Sequence, residues 1–137
     1  MVKYTRNYYS NDIDWQDLLN NFNESVMNGE EIKSKPIAFY VSHSAIKIEK
    51  LKPLYKKLNV KYAHLYISLT NACKNFTPHQ DKMDVWFWQA KGMTKWLILG
   101  KEYILNPGDL IYVPKGVEHT VLTFIAPRAG ISMSQLL

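Results

Sequence analysis

The stretch Thr77–Trp96, TPHQDKMDVWFWQAKGMTKW, places a His-x-Asp pair, three of the chain's four tryptophans and a glycine side by side. On a strand, side chains i and i+2 leave from the same face. His79 and Asp81 can therefore present an imidazole and a carboxylate to one point. For a metal centre built on this pair an imidazole and a carboxylate are not enough, and a third group has to come from elsewhere. If the strand runs on regularly, Val85, Phe87 and Gln89 share the face of the pair. Trp86 and Trp88 then point the other way, to pack under a helix or at a homodimer interface. The segment KGM reads as a hairpin turn between DVWFWQA and TKWLIL, with Gly92 supplying the permissive backbone.

The third group is His119, at the end of LNPGDLIYVPKGVEHTV. Pro107-Gly108 reverses the chain, LIYV crosses the sheet, and Pro114 and Gly116 bend it again, which can turn a side chain inward. Two histidines and one carboxylate with open coordination positions suit a non-haem Fe(II) centre of the facial-triad type. For the other two histidines, His43 and His64, we expect surface or hydrogen-bonded side chains rather than ligands.

The rest of the chain frames this region. A length of 137 residues suits one domain, with a helical part over about 1–60 and a β part over about 61–137. SNDIDWQDLLNNFNESVMNG carries capping residues Asn11, Asp12 and Asp14. Ile13, Trp15, Leu18, Leu19 and Phe22 then recur at helical spacing, and Gly29 closes the helix. PIAFYVS over 36–42 reads as a strand, and AIKIEKLKPLYKKLN as a second helix restarted at Pro53. KYAHLYISLT alternates, with Tyr62, His64, Tyr66 and Ser68 on one face. Short segments separated by turn signals follow, ending in IYVP, HTVLTFI and GISMSQLL, as in a sandwich or barrel. The net charge of +5 is carried in part by Lys50, Lys56 and Lys57, which we read as a solvated helix face. No run approaches the roughly 18 apolar residues that cross a bilayer, so no membrane partner is expected. One cysteine and no apolar leader predict a reducing, cytoplasmic setting.

The segment from Gly108 resembles the second motif of the cupins, in which a glycine, a proline, a glycine and a histidine recur at the spacing of Gly108, Pro114, Gly116 and His119. Thr123 stands where those proteins often carry asparagine. The first cupin motif is matched by His79 and Gly92, with Asp81 in place of its second histidine and Val85 in place of its glutamate. The stretch from His79 to Trp96 is similar to the Jumonji C and cupin-like hydroxylases. Their His-x-Asp, apolar strand, glutamine, glycine, basic residue and tryptophan are echoed by His79, Asp81, Val85, Phe87, Gln89, Gly92, Lys95 and Trp96. Thr77-Pro78 resembles the Thr-Pro of the asparaginyl hydroxylases, one residue closer to the ligand. The resemblance covers about residues 61–137.

The resemblance implies a mainly β fold, the double-stranded β-helix of a cupin jelly roll, with the N-terminal helices packed on it. It implies Fe(II) or another divalent metal on His79, Asp81 and His119, 2-oxoglutarate as co-substrate, and hydroxylation of a substrate that is a protein, a nucleic acid or a small molecule. The lysine that pairs with the far carboxylate of 2-oxoglutarate falls at Thr94. Lys95 should face the other way unless a bulge at GMT restores it, and Arg128 is another carboxylate partner. Surface charge is the plain alternative for both. Tyr66 and Thr77 offer hydroxyls, and Phe87 and Gln89 complete the expected lining. Gln89 is either an orienting group or a satisfied interior amide. Two other readings stand beside the oxygenase: a metal-binding cupin without 2-oxoglutarate chemistry, and a non-catalytic binding or scaffold module.

Overall fold

A computed structural model describes residues 1–29, 33–34, 39–71 and 77–136. Strand β1 is Lys3–Thr5, helix α1 is Trp15–Met27, β2 is Lys33–Ser34 and β3 is Phe39–Ser42. Two 3-10 turns lead into α2, Lys52–Leu58; then come β4 (Tyr62–Ser68), β5 (Val85–Ile98), β6 (Lys101–Leu105), β7 (Leu110–Val113) and β8 (His119–Ser134). The sheet runs β1-β7-β5-β8-β4-β3-β2, and β6 also pairs with β5. The order follows from β5 and β8, which pair along nearly their whole lengths and bend together. Their one half joins β7 and β4, and their other half carries β6. This is the double-stranded β-helix.

The bend replaces the hairpin expected at KGM. Gly92 does have a left-handed backbone, φ +69°, but the strand continues through it. Between the pairs Lys91↔Ala129 and Met93↔Ile125, Gly92 stands alone on β5 against three residues of β8. A Cβ there would lie 2.6 Å from the Ile125 carbonyl oxygen and 2.7 Å from both Arg128 Cβ and the Pro127 carbonyl oxygen. HTVLTFI and GISMS are likewise parts of one strand, β8, rather than of two.

Helix α1 begins where expected. Asp14 caps it in a reciprocal box with Asp17, and Lys50 then reaches Asp17 at 2.8 Å. Leu18 is buried but Leu19 is exposed, a correction to the expected apolar face. Instead Asn21 and Ser25 are buried, and both bond Ser42 on β3. Pro53 sits in the first turn of α2, where its missing N–H costs nothing. The strand expected over 36–42 is seen over Phe39–Ser42; 36–38 lie outside the described residues. Two apolar cores result. Leu18, Leu51 and Leu54 cover Ala63, Leu65, Ile67, Trp88 and Ile131 on the outer face, while Phe87, Trp96, Ile98, Leu105, Ile111 and Val113 fill the concave side. Trp88 thus packs on the helix side, where its indole N–H donates to the Tyr9 carbonyl at 3.0 Å. Trp86 is half-buried beside Tyr112. No helix among the described residues is long and apolar enough to cross a membrane.

On the concave side, a Cβ at Gly130 would strike the Phe87 ring. Gly130→Ala is expected to destabilise the protein by about 1–3 kcal/mol through overpacking. Phe87→Leu in the same chain should restore part of that loss, as read by urea unfolding.

Candidate metal centre and its cavity

His79 is not in a regular strand. It forms an isolated bridge to His119, closed by reciprocal backbone bonds of 3.0 and 2.9 Å. The backbone therefore sets the two imidazoles directly opposite each other, with ring centroids 4.3 Å apart. Gly116, at the bend after β7, donates its N–H to the Asp81 carbonyl at 2.9 Å, so the segment before His119 also holds Asp81. Each histidine ring is oriented the same way. The Nδ1 of His79 lies 3.2 Å from the Thr77 carbonyl, and that of His119 lies 2.9 Å from the Val117 carbonyl. A carbonyl only accepts, so both Nδ1 atoms carry hydrogen and both Nε2 atoms are left for the site. One Asp81 oxygen is 3.1 Å from His119 Nε2 and the other 3.9 Å from His79 Nε2. One ligand atom from each residue falls within 4.8 Å of the others. A set of two imidazoles and a carboxylate at this spacing can hold a divalent metal ion.

The triad opens into a cavity of about 240 Å³. Its walls include Tyr66, Thr77, Val85, Phe87, Trp96, Val121, Arg128 and Ser132. Of the residues singled out in the sequence, Tyr66, Thr77, Phe87 and Arg128 line it. Gln89, Thr94 and Lys95 do not. Gln89 is a satisfied interior amide, donating to the Lys91 carbonyl and accepting from the Thr94 hydroxyl. Thr94 is fully buried and also accepts the Trp96 indole N–H at 2.9 Å. Lys95 lies on the outer face, 2.9 Å from Glu102. The reason is a bulge at Ala90 that shifts the strand's phase. Val85, Phe87 and Gln89 face inward before it, and Thr94, Trp96 and Ile98 after it. Arg128 is 2% exposed; its Nε donates to the Ser68 hydroxyl at 2.9 Å, and its guanidinium lies over the Phe124 ring. Among the described residues it is the cavity's one Lys or Arg side chain. Sequence reasoning passed over Trp96, Val121 and Ser132 as lining residues. For Ser132 the signal was present, since Ser132 and Ser134 alternate with Ile131 and Met133.

The charges of the centre are coupled. Asp81 is held below the ordinary carboxylate range, first by the hydrogen bond from His119, against burial. For His119, burial pushes the imidazole down, but the bonds to Asp81 and the Val117 carbonyl outweigh it and the net shift is upward. Tyr66 is pushed up by burial and by the Asp81 charge, and pulled down by Arg128. Its hydroxyl therefore feels both the triad and the cation.

The raised His119 stabilises the metal-free fold fully below the ordinary imidazole pKa, and this is lost as pH rises through the raised value. The lowered Asp81 contributes above the ordinary carboxylate pKa, and this is lost as pH falls through the lowered value. The ion pair therefore acts between those limits, whereas metal binding needs His119 neutral and strengthens as pH rises. In metal-free protein, NMR titration should place His119 above the ordinary imidazole pKa. In Asp81→Asn it should fall, because only the Val117 carbonyl bond is then left to oppose burial.

No protein-family model matches the sequence, and no curated protein matches it either. Solved structures do. YcfD, a ribosomal oxygenase from Escherichia coli, was solved with cobalt and succinic acid and superposes with a TM-score of 0.71 at 13% identity, over 97% of this chain and 47% of that one. The same protein with cobalt and 2-oxoglutarate gives 0.68 at 13% identity and the same coverage. KdgF from Halomonas sp. gives 0.57 at 15% identity, over 80% of this chain and 92% of that one. Salicylate 1,2-dioxygenase from Pseudoaminobacter salicylatoxidans gives 0.57 at 12% identity, over 90% and 32%. The chain thus spans about half the length of the ribosomal oxygenase. At these identities the likeness is one of fold, and the fold of this chain is that of the cupins, shared with oxygenases among others.

Proposed function

We propose that the chain is a metal-dependent oxygenase, with Fe(II) held by His79, Asp81 and His119 and 2-oxoglutarate as co-substrate, hydroxylating a C–H bond of a second molecule. The observation that carries the reading is one cavity joining a two-histidine, one-carboxylate centre to a buried arginine. The donor set fits a ferrous ion, since both Nε2 atoms and the Asp81 carboxylate converge. Such an ion, when bound, polarises the oxo acid and supplies electrons for reducing O₂. Arg128 offers a planar fork for a carboxylate, in place of the lysine that the hydroxylases carry at the position of Thr94. Tyr66 lies between that cation and the triad in electrostatic terms and can donate to the same carboxylate. Phe87, Trp96 and Val121 keep the cavity apolar and limit water. The ribosomal oxygenase solved with cobalt and 2-oxoglutarate lends the reading the support of a shared fold.

In anaerobic solution, Fe(II) with 2-oxoglutarate should give a visible metal-to-ligand band and a thermal shift that neither component gives alone. In air, 2-oxoglutarate should be converted to succinate. Absence of both band and shift overturns the reading. Arg128→Leu should weaken 2-oxoglutarate binding at least tenfold, about 1.4 kcal/mol or more, while leaving metal binding in place.

A second reading follows from Thr94 and Trp96, which fill the place of the expected lysine with a closed hydrogen-bonded pair. This is metal-dependent chemistry without an oxo acid. It predicts a thermal shift with metal that 2-oxoglutarate does not enlarge, lost in His119→Ala. A scaffold module would show no metal shift at all, and His79→Ala would then change nothing.

A further inference from the structure

The chain has four histidines, and the fold gathers them into two pairs. One is His79 with His119. The other is His43 with His64, and its ring centroids are also 4.3 Å apart, at 77° against 61° for the first pair. We propose that His43 and His64 form a second binding site for a divalent transition metal ion, of the zinc, nickel or copper class.

Strands β3 and β4 are antiparallel neighbours with Ser42 opposite Leu65, so one step further sets His43 opposite His64. On β4, Ala63, Leu65 and Ile67 are buried under the helices, which turns His64 and Tyr66 to the concave face. His64 is in turn paired with Ser132 of β8, which lines the cavity of the first centre. The second pair thus lies on the same face of the sheet as the first centre, farther out along it. His43 is exposed and His64 half-buried, so an ion and its waters can reach both.

The spacing suits a shared ion. His43 Nδ1 and His64 Nε2 are 3.2 Å apart. Two nitrogens on one ion at 2.0–2.1 Å are separated by about 2.9 Å at a right angle and about 3.3 Å at the tetrahedral angle. Imidazole nitrogens with water completing the shell favour borderline transition ions over magnesium or calcium. The competing account, the one expected from the sequence, is a simple N–H···N bond between the rings, which has the same distance and binds nothing.

The test is a calorimetric titration of the full chain with Ni(II), in a Cys73→Ser background that removes the single thiol. Two classes of site are expected. His64→Gln and His43→Gln should each abolish one class, and His119→Ala the other, with unchanged melting of the metal-free His43→Gln chain as the control for folding. One class only in the parent chain, or two that survive both His43→Gln and His64→Gln, overturns the proposal. The triad fails separately, if His119→Ala removes no class of site.

Discussion

The arrangement of this cavity depends on one crowded crossing, where Gly92 of β5 meets residues 126–128 of β8. Only a residue without a side chain passes there, because a Cβ would strike two carbonyl oxygens and Arg128 Cβ. The excess residues of β8 turn the paired strands over themselves, and the turn separates the concave face from the helix-covered one. Arg128 stands at this corner, and the crossing gives it a buried place in the cavity wall. A sheet without the break would be flatter, and neither strand could contribute to both walls. The same region contains the bulge that moves β5 from odd to even inward positions, so a change in the corner would rearrange both walls at once.

The triad is built by a different device. His79 owes its place to two backbone bonds with His119. A loop bridged to one residue at the start of a strand is a small structure, yet it fixes Cα positions as firmly as a ladder step does. Side-chain orientation is then set within each local turn, since both Nδ1 atoms bond the carbonyl two residues earlier. Preorganisation of this sort lets a site bind without first losing rotamer freedom. Asp81 couples the two rings in the absence of metal. The centre is therefore a compensated charge cluster, and an ion held there would take the place of the bond from His119 to Asp81.

Much of this was legible in the sequence because period-2 alternation survives wherever the strands are regular. His79, Asp81 and His119 were found from spacing and turn residues, and the helix-side burial of Trp88 from the alternation of VWFW. Reading failed where the alternation breaks. Gly92 has the left-handed backbone of a turn, and from the sequence a corner within a strand and a hairpin look alike. Ala90 gives no sign of being a bulge, so the facing of Thr94 and Lys95 could be posed as a question but not answered. Leu19 and Asn21 show the tertiary override of helical periodicity: a polar network to Ser42 takes the place that an apolar contact was expected to fill.

The corner also bears on chemistry. The hydroxylases that the sequence resembles take their carboxylate partner from the strand after the glycine, at the position held here by Thr94. Here the hydroxyl of Thr94 is committed to Gln89 and Trp96, and the cation comes from β8 instead. Both positions flank the same crossing, one on each strand, so a cation supplied from either can serve one cavity. Fold does not decide such a matter, since cupin barrels host many reactions. What bears on it is the charge on the concave wall. Burying a guanidinium is costly unless partners are supplied, and Ser68 and the Phe124 ring are among the partners of Arg128. A carboxylate entering the cavity would meet this cation, and a neutral substrate would make no use of its charge. The place of Arg128 in the cavity wall is therefore the feature on which the proposed oxo acid, rather than metal chemistry alone, depends.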